Sequence, residues 1–204
     1  MSLISSLACL LPLVLSALFY NKLPDKVATH WDINGIANGY SGKIFAAFGL
    51  PLILLGIQIL LCFILDNDPK KENHPAQIKI ISKWILPVLS MLVQIIIISY
   101  ALGLSVNVSK ITLALVGLLT AVIGVYLPKC KQNYTIGIRL PWTLNSESNW
   151  DKTHKLTGRI WTAGGILLAA SSLLSLSSLF FTILFIMVIV PAGYSYYLYK
   201  NPKQ

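Results

Sequence analysis

Charge is what this sequence has least of. Of 204 residues, 16 are Lys or Arg and 7 are Asp or Glu, together 11%. An ordinary soluble domain carries about 25% charged residues, so too few are present to coat a water-soluble globule of this size. The same shortage, with 55% apolar residues and a mean hydropathy of +0.71, excludes a disordered chain. Three cysteines are too few for a disulfide scaffold, and 13 glycines without a period exclude a collagen-like chain. Catalytic signatures are missing as well: no His-Glu-x-x-His, no Gly-x-Ser-x-Gly, no Walker loop and no Gly-x-Gly-x-x-Gly occurs. Cys130 and His154 have nothing in the sequence to orient them as a nucleophile pair. We therefore expect neither an enzyme, nor a cofactor, nor a metal site. The net charge of +9 does not point to nucleic acid, because the basic residues lie between apolar runs and form no stripe.

What the chain does contain is long apolar runs. About 20 apolar residues in a helix span the hydrocarbon of a bilayer, and six such runs occur, at 3–20, 44–65, 84–104, 111–127, 160–177 and 179–198. The fold class expected is an all-α integral membrane protein with six transmembrane helices. None of the runs holds Asp, Glu, Lys, Arg or His, which speaks against a proton- or ion-coupled transporter. Six spans put both termini on one side. The segments on that side carry 12 Lys and Arg and those opposite carry 4. The positive-inside rule then places both termini in the cytoplasm. The first run lacks a basic start and a small-residue cleavage site and reads as a retained helix. Cys9, Cys62 and Cys130 fall on the cytoplasmic side and are expected as free thiols. Pro12, Pro51, Pro87 and Pro191 should bend or open their helices. Gly117, Ala121 and Gly124 on the fourth run, and Gly164, Gly165, Ala169, Ser172 and Ser175 on the fifth, form small-residue faces suited to close packing within the bundle. The expected organisation is a two-helix N-terminal unit (1–66), a solvated, turn-rich linker (67–83) and a four-helix unit (84–204).

Two polar segments are long enough to hold a site. In the extracellular one, residues 21–43, Val27, Thr29 and Trp31 favour extended structure, and Asn34-Gly35 is a strong two-residue hairpin signal. A small turn-rich cap is expected, with Trp31 and Tyr40 anchored among the headgroups. His30 is expected as a hydrogen-bonded brace, since one His and two carboxylates fall short of a zinc site. In the cytoplasmic segment, residues 128–158, a stretch of 31 residues is too long for an idle connector. Residues 137–142 read as extended up to Pro141. Asn145 or Ser146 can then cap a helix with Glu147 at its positive end. Asp151 and Lys155 form an i,i+4 pair, and Glu147, Trp150 and His154 share a face. This reads as an amphipathic helix on the membrane that runs into the fifth span, with Trp142, Trp150 and Trp161 clustered at headgroup level.

These two segments carry a resemblance. The stretch Leu23-Pro24 through His30-Trp31-Asp32-Ile33-Asn34-Gly35, closing at Lys43, resembles the short N-terminal domain of unknown function that often precedes SdpI-type domains. Asn133-Tyr134-Thr135-Ile136-Gly137-Ile138-Arg139-Leu140-Pro141-Trp142, followed by Trp150 to His154, resembles the signature of the SdpI family itself. Ala28, Asp32, Leu140 and Val125-Tyr126 depart from the usual pattern. The resemblance implies a bacterial membrane immunity protein giving self-protection against a secreted membrane-active peptide toxin. His30, Trp31, Asp32, Asn34 and Gly35 would form the outer ligand-binding cap. Asn133, Gly137, Arg139, Pro141, Trp142, Glu147, Trp150 and His154 would form the cytoplasmic motif. Membrane lipids, the toxin and a cytoplasmic repressor are the partners to consider; a signal transducer and a membrane enzyme or transporter are the rival readings.

Overall fold

The computed structural model describes residues 1–173 and 178–201. Apolar runs that leave every backbone N–H to bond within its own segment become helices, the economical solution where no water is available. Ten elements follow in chain order: α1 (Ser2–Ala8), α2 (Leu11–Phe19), β1 (Lys26–Trp31), β2 (Ala37–Gly42), α3 (Leu50–Asp66), α4 (Ala76–Ala101), α5 (Val108–Tyr126), α6 (Pro141–Leu144), α7 (Glu147–Leu173) and α8 (Leu179–Lys200). Among the described residues, five helical stretches are long and apolar enough to cross a membrane: Ser2–Lys22, Phe45–Asp66, Ala76–Ala101, Val108–Lys129 and Leu179–Lys200.

The sixth expected span, 160–177, falls on the second half of α7, which is not among those five. Its last four residues, Ser175 among them, lie outside the described residues. The described residues therefore cover only part of that run. α7 opens on a polar turn, and its buried face holds Asn149, Thr153, Thr157, Gly158, Gly164, Gly165, Ser171 and Ser172. It is one continuous helix from Glu147 onward.

Proline shapes the first span. Pro12 offers no N–H, and the chain breaks just before it. Cys9 N and Leu10 N donate to Ser6 O and Leu7 O, three residues back. A π-helical turn over Phe45–Gly49 precedes Pro51 and starts the second span. Pro87 and Pro191, by contrast, sit inside α4 and α8, which continue through them.

The chain divides into two compact units. Unit 1 comprises Met1–Ile64 and Ile80–Ser109, and unit 2 comprises Leu65–Lys79 and Lys110–Gln204. α4 thus groups with the N-terminal spans rather than with the C-terminal ones. In unit 1 an apolar cluster of Leu23, Val27, Ala46, Ala47, Ile97 and Ile98 ties the hairpin to the ends of three spans. Two buried amides cross-link its helices: Gln58 Nε2 donates to Ser5 Oγ (3.1 Å) and Lys83 O (2.8 Å), and Gln94 Nε2 donates to Ser16 Oγ (2.8 Å). In unit 2, α5 and α7 meet through their glycines. A Cβ on Gly117 would strike Ala169 N and Gly165 O, and one on Gly124 would strike Thr162 N. The small-residue faces therefore pair with each other inside one chain. Without a hydrophobic drive between helices in lipid, such backbone approach supplies the dispersion contact.

Candidate functional site

The first polar segment is the antiparallel hairpin of β1 and β2. Lys26, Val27 and Ala28 pair with Gly42, Ser41 and Tyr40; the register then shifts, and His30 faces Gly39. Asp32 builds the turn. Its Oδ1 accepts from Asn34 N (3.0 Å) and Ile36 N (2.8 Å), and Gly35 takes φ +82°. A side chain on Gly35 would press on Ser109, whose hydroxyl donates to Ile33 O at 2.7 Å. His30 Nδ1 lies 2.6 Å from Asn38 Oδ1, so it donates a proton there and braces the strands. Trp31 turns inward. Its ring meets Tyr100 edge-on at 5.4 Å and packs against the apolar cluster, and its Nε1 is buried without a hydrogen-bond partner. Trp31, expected as a headgroup anchor, is thus partly buried against that cluster, while Tyr40 is 59% exposed.

The second segment folds as a polar knot in unit 2. Asn133 is fully buried and organises the loop. Its Oδ1 accepts from Thr135 N (2.9 Å) and Ile136 N (2.7 Å), and its Nδ2 donates to Lys131 O (2.9 Å). Gly137 follows at φ +118°, directly against Trp150 and His154. His154 stacks on Trp150 with ring centroids 4.0 Å apart. Its Nε2 accepts from Ile138 N at 3.0 Å, so the ring proton is on Nδ1 and goes to Trp150 O at 2.8 Å. Burial lowers the His154 pKa to about 4, against the raising effects of that carbonyl and of Asp151, so the ring is neutral at pH 7. Trp150 Nε1 donates to Cys130 O at 2.8 Å, and burial pushes the Cys130 thiol up to about 11.

Pro141 starts the short helix α6, where Thr143 Oγ1 accepts from Leu140 N and holds the turn. Ser146 caps α7 by accepting from Asn149 N at 3.2 Å, and Glu147 lies exposed in the first turn. Asn149 in turn clamps α8, through Nδ2 to Ser195 O and Oδ1 from Ser195 Oγ, both at 2.9 Å. Arg139 is exposed at this face, its Nη1 on Tyr134 O at 2.7 Å. Trp142 lies against Tyr196 and Tyr199 of α8. The three tryptophans expected to cluster do not. Trp150 is wholly buried, Trp161 Nε1 bonds Met187 O, and Trp142 sits in the α8 aromatic group. Trp150 and His154 share a face as expected, but it is an interior face, and Glu147 stands apart from it.

The residues missed in the sequence are instructive. The expected linker is not solvated at its centre: Asp68 and His74 are 3% and 4% exposed. Asp68 Oδ2 accepts from Thr135 Oγ1 (2.6 Å) and Tyr134 N (3.1 Å), and its Oδ1 accepts from Lys70 N (2.7 Å). His74 Nε2 lies 3.3 Å from Asp68 Oδ2 and 3.1 Å from Thr135 Oγ1. Because the Thr135 proton goes to Asp68, its lone pair faces His74 Nε2–H. Burial raises the Asp68 pKa, but the hydrogen bonds from Thr135, Lys70 and Tyr134 and the adjoining His74 outweigh it, and the carboxyl stays below its ordinary value. Gln132 extends the clamp, accepting from Lys70 Nζ (2.8 Å) and donating to Thr143 O (3.0 Å) and Leu144 O (2.8 Å). Nothing in residues 67–83 announced this, since an Asp and a His six apart carry no periodic signal. The only hint was the density of amides and hydroxyls from Gln132 to Thr135. Chemically the group is a pin: Asp68 Oδ2 holds the motif loop at Tyr134 and Thr135, while Oδ1 fixes the turn at Lys70. Among the described residues no three His, Cys, Asp or Glu side chains converge on a metal position.

Apolar helices of this length, recurring along the described residues, define a multi-pass membrane protein. Residues 129–195 match the SdpI/YfhL protein family, and residues 7–55 match DUF1648, a domain of unknown function. The chain is 26% identical over 201 residues to the immunity protein SdpI of Bacillus subtilis (strain 168), covering 96% of this chain and 95% of that protein. No solved structure matches it significantly. The chain is thus similar to the SdpI/YfhL family over residues 129–195 and to DUF1648 over residues 7–55. The first match spans the pinned loop, α6, α7 and most of α8; the second spans α2, the hairpin and the start of α3.

Proposed function

We propose that this protein is an immunity protein of the bacterial plasma membrane, protecting its host from a secreted membrane-active peptide. The observation that carries the reading is the near full-length similarity to an immunity protein, which takes in both polar segments. The protein would lie with both termini in the cytoplasm and the β1–β2 hairpin outside, as the 12-to-4 distribution of basic residues favours. The peptide would be met at the hairpin, where His30, Asp32, Asn34 and Gly35 form a braced polar tip and Trp31 fastens that tip to the core. Stoichiometric capture suits a chain whose polar groups are spent on structure rather than aimed at a common reacting centre. The test is expression in a Bacillus subtilis strain lacking its own SdpI, challenged with the peptide that strain becomes sensitive to. Protection is expected, and it is expected to fall in His30→Ala and Asn34→Ala at unchanged membrane levels. Full protection in both would refute the hairpin as the site, and no protection by the unaltered chain would refute the reading for that peptide.

A second reading is favoured by one feature of the motif face: Arg139, exposed on a loop that Asp68 and Asn133 hold rigid. We propose that this face serves a soluble cytoplasmic partner such as a repressor, so that ligand arrival outside is reported inside. Coupling of this kind needs a ligand that prefers one of two helix arrangements. A cytoplasmic protein that co-purifies only after peptide challenge, and is lost in Arg139→Ala, would support it; identical co-purification with and without challenge would refute it.

A further inference from the structure

Unit 1 carries a groove of 660 Å³ between the foot of the hairpin and the π-helical turn. Tyr20, Phe45, Phe48 and Leu52 supply its apolar wall, and Asp25 and Lys43 stand at its rim. Tyr20 and Phe48 meet at 5.3 Å, and Lys43 Nζ lies 4.5 Å from the centre of the Tyr20 ring. Gly49 is part of the wall because the Phe45 ring lies across it, where a Cβ would collide at 2.6 Å. Phe45 and Gly49, at the two ends of the π turn, both line the groove beside the first residues of the second span.

Two features identify the occupant. The first is depth. One candidate span ends at Lys22 and the next begins at Phe45, so the groove opens where the chain passes from polar surface to hydrocarbon. Ile44 and Leu52 around it are 70% and 52% exposed, as befits a wall that faces acyl chains. The second is charge. Lys43 stands at the rim, Lys26 is paired across the hairpin with groove residue Gly42, and Lys22 ends the turn that begins at Tyr20. The Lys22 ammonium turns to the Phe19 ring, 5.7 Å from its centre, and the other two cations outnumber the single carboxylate of Asp25. An apolar slot below a cationic rim complements a molecule with a hydrocarbon tail and an anionic head. We propose that this groove is a binding site for one anionic phospholipid, with an acyl chain along Phe45, Phe48 and Leu52 and the phosphate on Lys43. The Tyr20 ring holds the ammonium in place by cation–π attraction. Phosphate recognition by Lys is a point-charge interaction, so Lys43→Arg keeps it.

The test uses full-length protein purified in detergent and titrated with phosphatidylglycerol or phosphatidylcholine of the same acyl composition, with bound lipid read by native mass spectrometry. The unaltered protein should retain one phosphatidylglycerol in preference to phosphatidylcholine. Lys43→Gln should lower that preference about fivefold, the worth of one cation beside an anionic headgroup, and Lys43→Arg should preserve it. Leu52→Trp, which enlarges an already exposed wall residue and spares the core, should reduce retention of both lipids. Equal retention of the two lipids by the unaltered protein would overturn the proposal. So would an unchanged preference in Lys43→Gln, or unchanged retention in Leu52→Trp, with each variant's circular dichroism melt matching that of the parent.

Discussion

Gly137→Ala is the substitution with the largest cost that can be argued from a single position. Gly137 adopts φ +118°, a conformation that L side chains rarely take, and a Cβ there would overlap His154 Nε2 and crowd the Trp150 ring. The backbone term is about 1–3 kcal/mol. Overfilling a tightly packed site adds about 1–3 kcal/mol, and here the obstructing atom cannot retreat, because Nε2 is held by Ile138 N and Nδ1 by Trp150 O. The sum is about 2–6 kcal/mol. Gly103 separates the two terms. It also has positive φ, +76°, but a Cβ on it would meet open space, so Gly103→Ala carries the backbone term alone. The assay is unfolding of the purified protein in detergent, followed by tryptophan fluorescence. Gly137→Ala should destabilise clearly more than Gly103→Ala, and a double-mutant cycle with His154→Ala should recover part of the excess. Equal effects of the two glycine substitutions, or strict additivity with His154→Ala, would refute the packing described for the motif loop.

Acid should act in two separate windows. The folded-state pKa of His154 lies below the ordinary 6.5, at about 4, so the unfolded chain binds the extra proton. Stability should be complete above pH 6.5 and fall as pH drops from 6.5 toward 4, with that slope missing in His154→Gln when melting is followed against pH. Asp68 is depressed below its ordinary 3.8, so its contribution is present above that pH and lost as pH falls through the lower folded value; Asp68→Asn should abolish this second step. Thr135→Val leaves the buried Asp68 carboxylate short of its strongest donor and should cost about 1–3 kcal/mol in the same unfolding assay, whereas Tyr134→Phe, altering an exposed ring, should change little. Gly165→Leu should disrupt the α5–α7 contact, where any Cβ meets Ala121 N and Gly117 O, while Gly56→Leu, facing open space, should be neutral in thermal scans of both proteins.

Particular residues show how far the sequence could be read. The apolar runs were legible because transfer to hydrocarbon depends on composition alone, and five of them coincide with helices among the described residues that are long and apolar enough to cross a membrane. Asn34-Gly35 was legible as a turn because positive φ is a local demand, met by Gly35, although the connection between Trp31 and Ala37 is longer than the two residues expected, and Ser146 was legible as a cap because its partner lies three residues away. Trp31 and Trp150 misled for a common reason. An indole near a membrane end has the same local sequence whether it faces headgroups or core, and only the neighbours that reach it, Tyr100 in one case and Cys130 O in the other, decide. Asp68 and His74 were invisible because their partners stand more than 60 residues further along the chain.

The amino-acid order alone thus determined the solvent this protein folds in, the places where it can cross that solvent, and the two segments left polar, since each is a property of a short window and its free energy of transfer. Tertiary structure alone decided which polar residues are spent on cohesion. A buried carboxylate is tolerable only when distant donors converge on it, and convergence across 67 residues from Asp68 to Thr135 is a matter of how helices return, which no local pattern encodes.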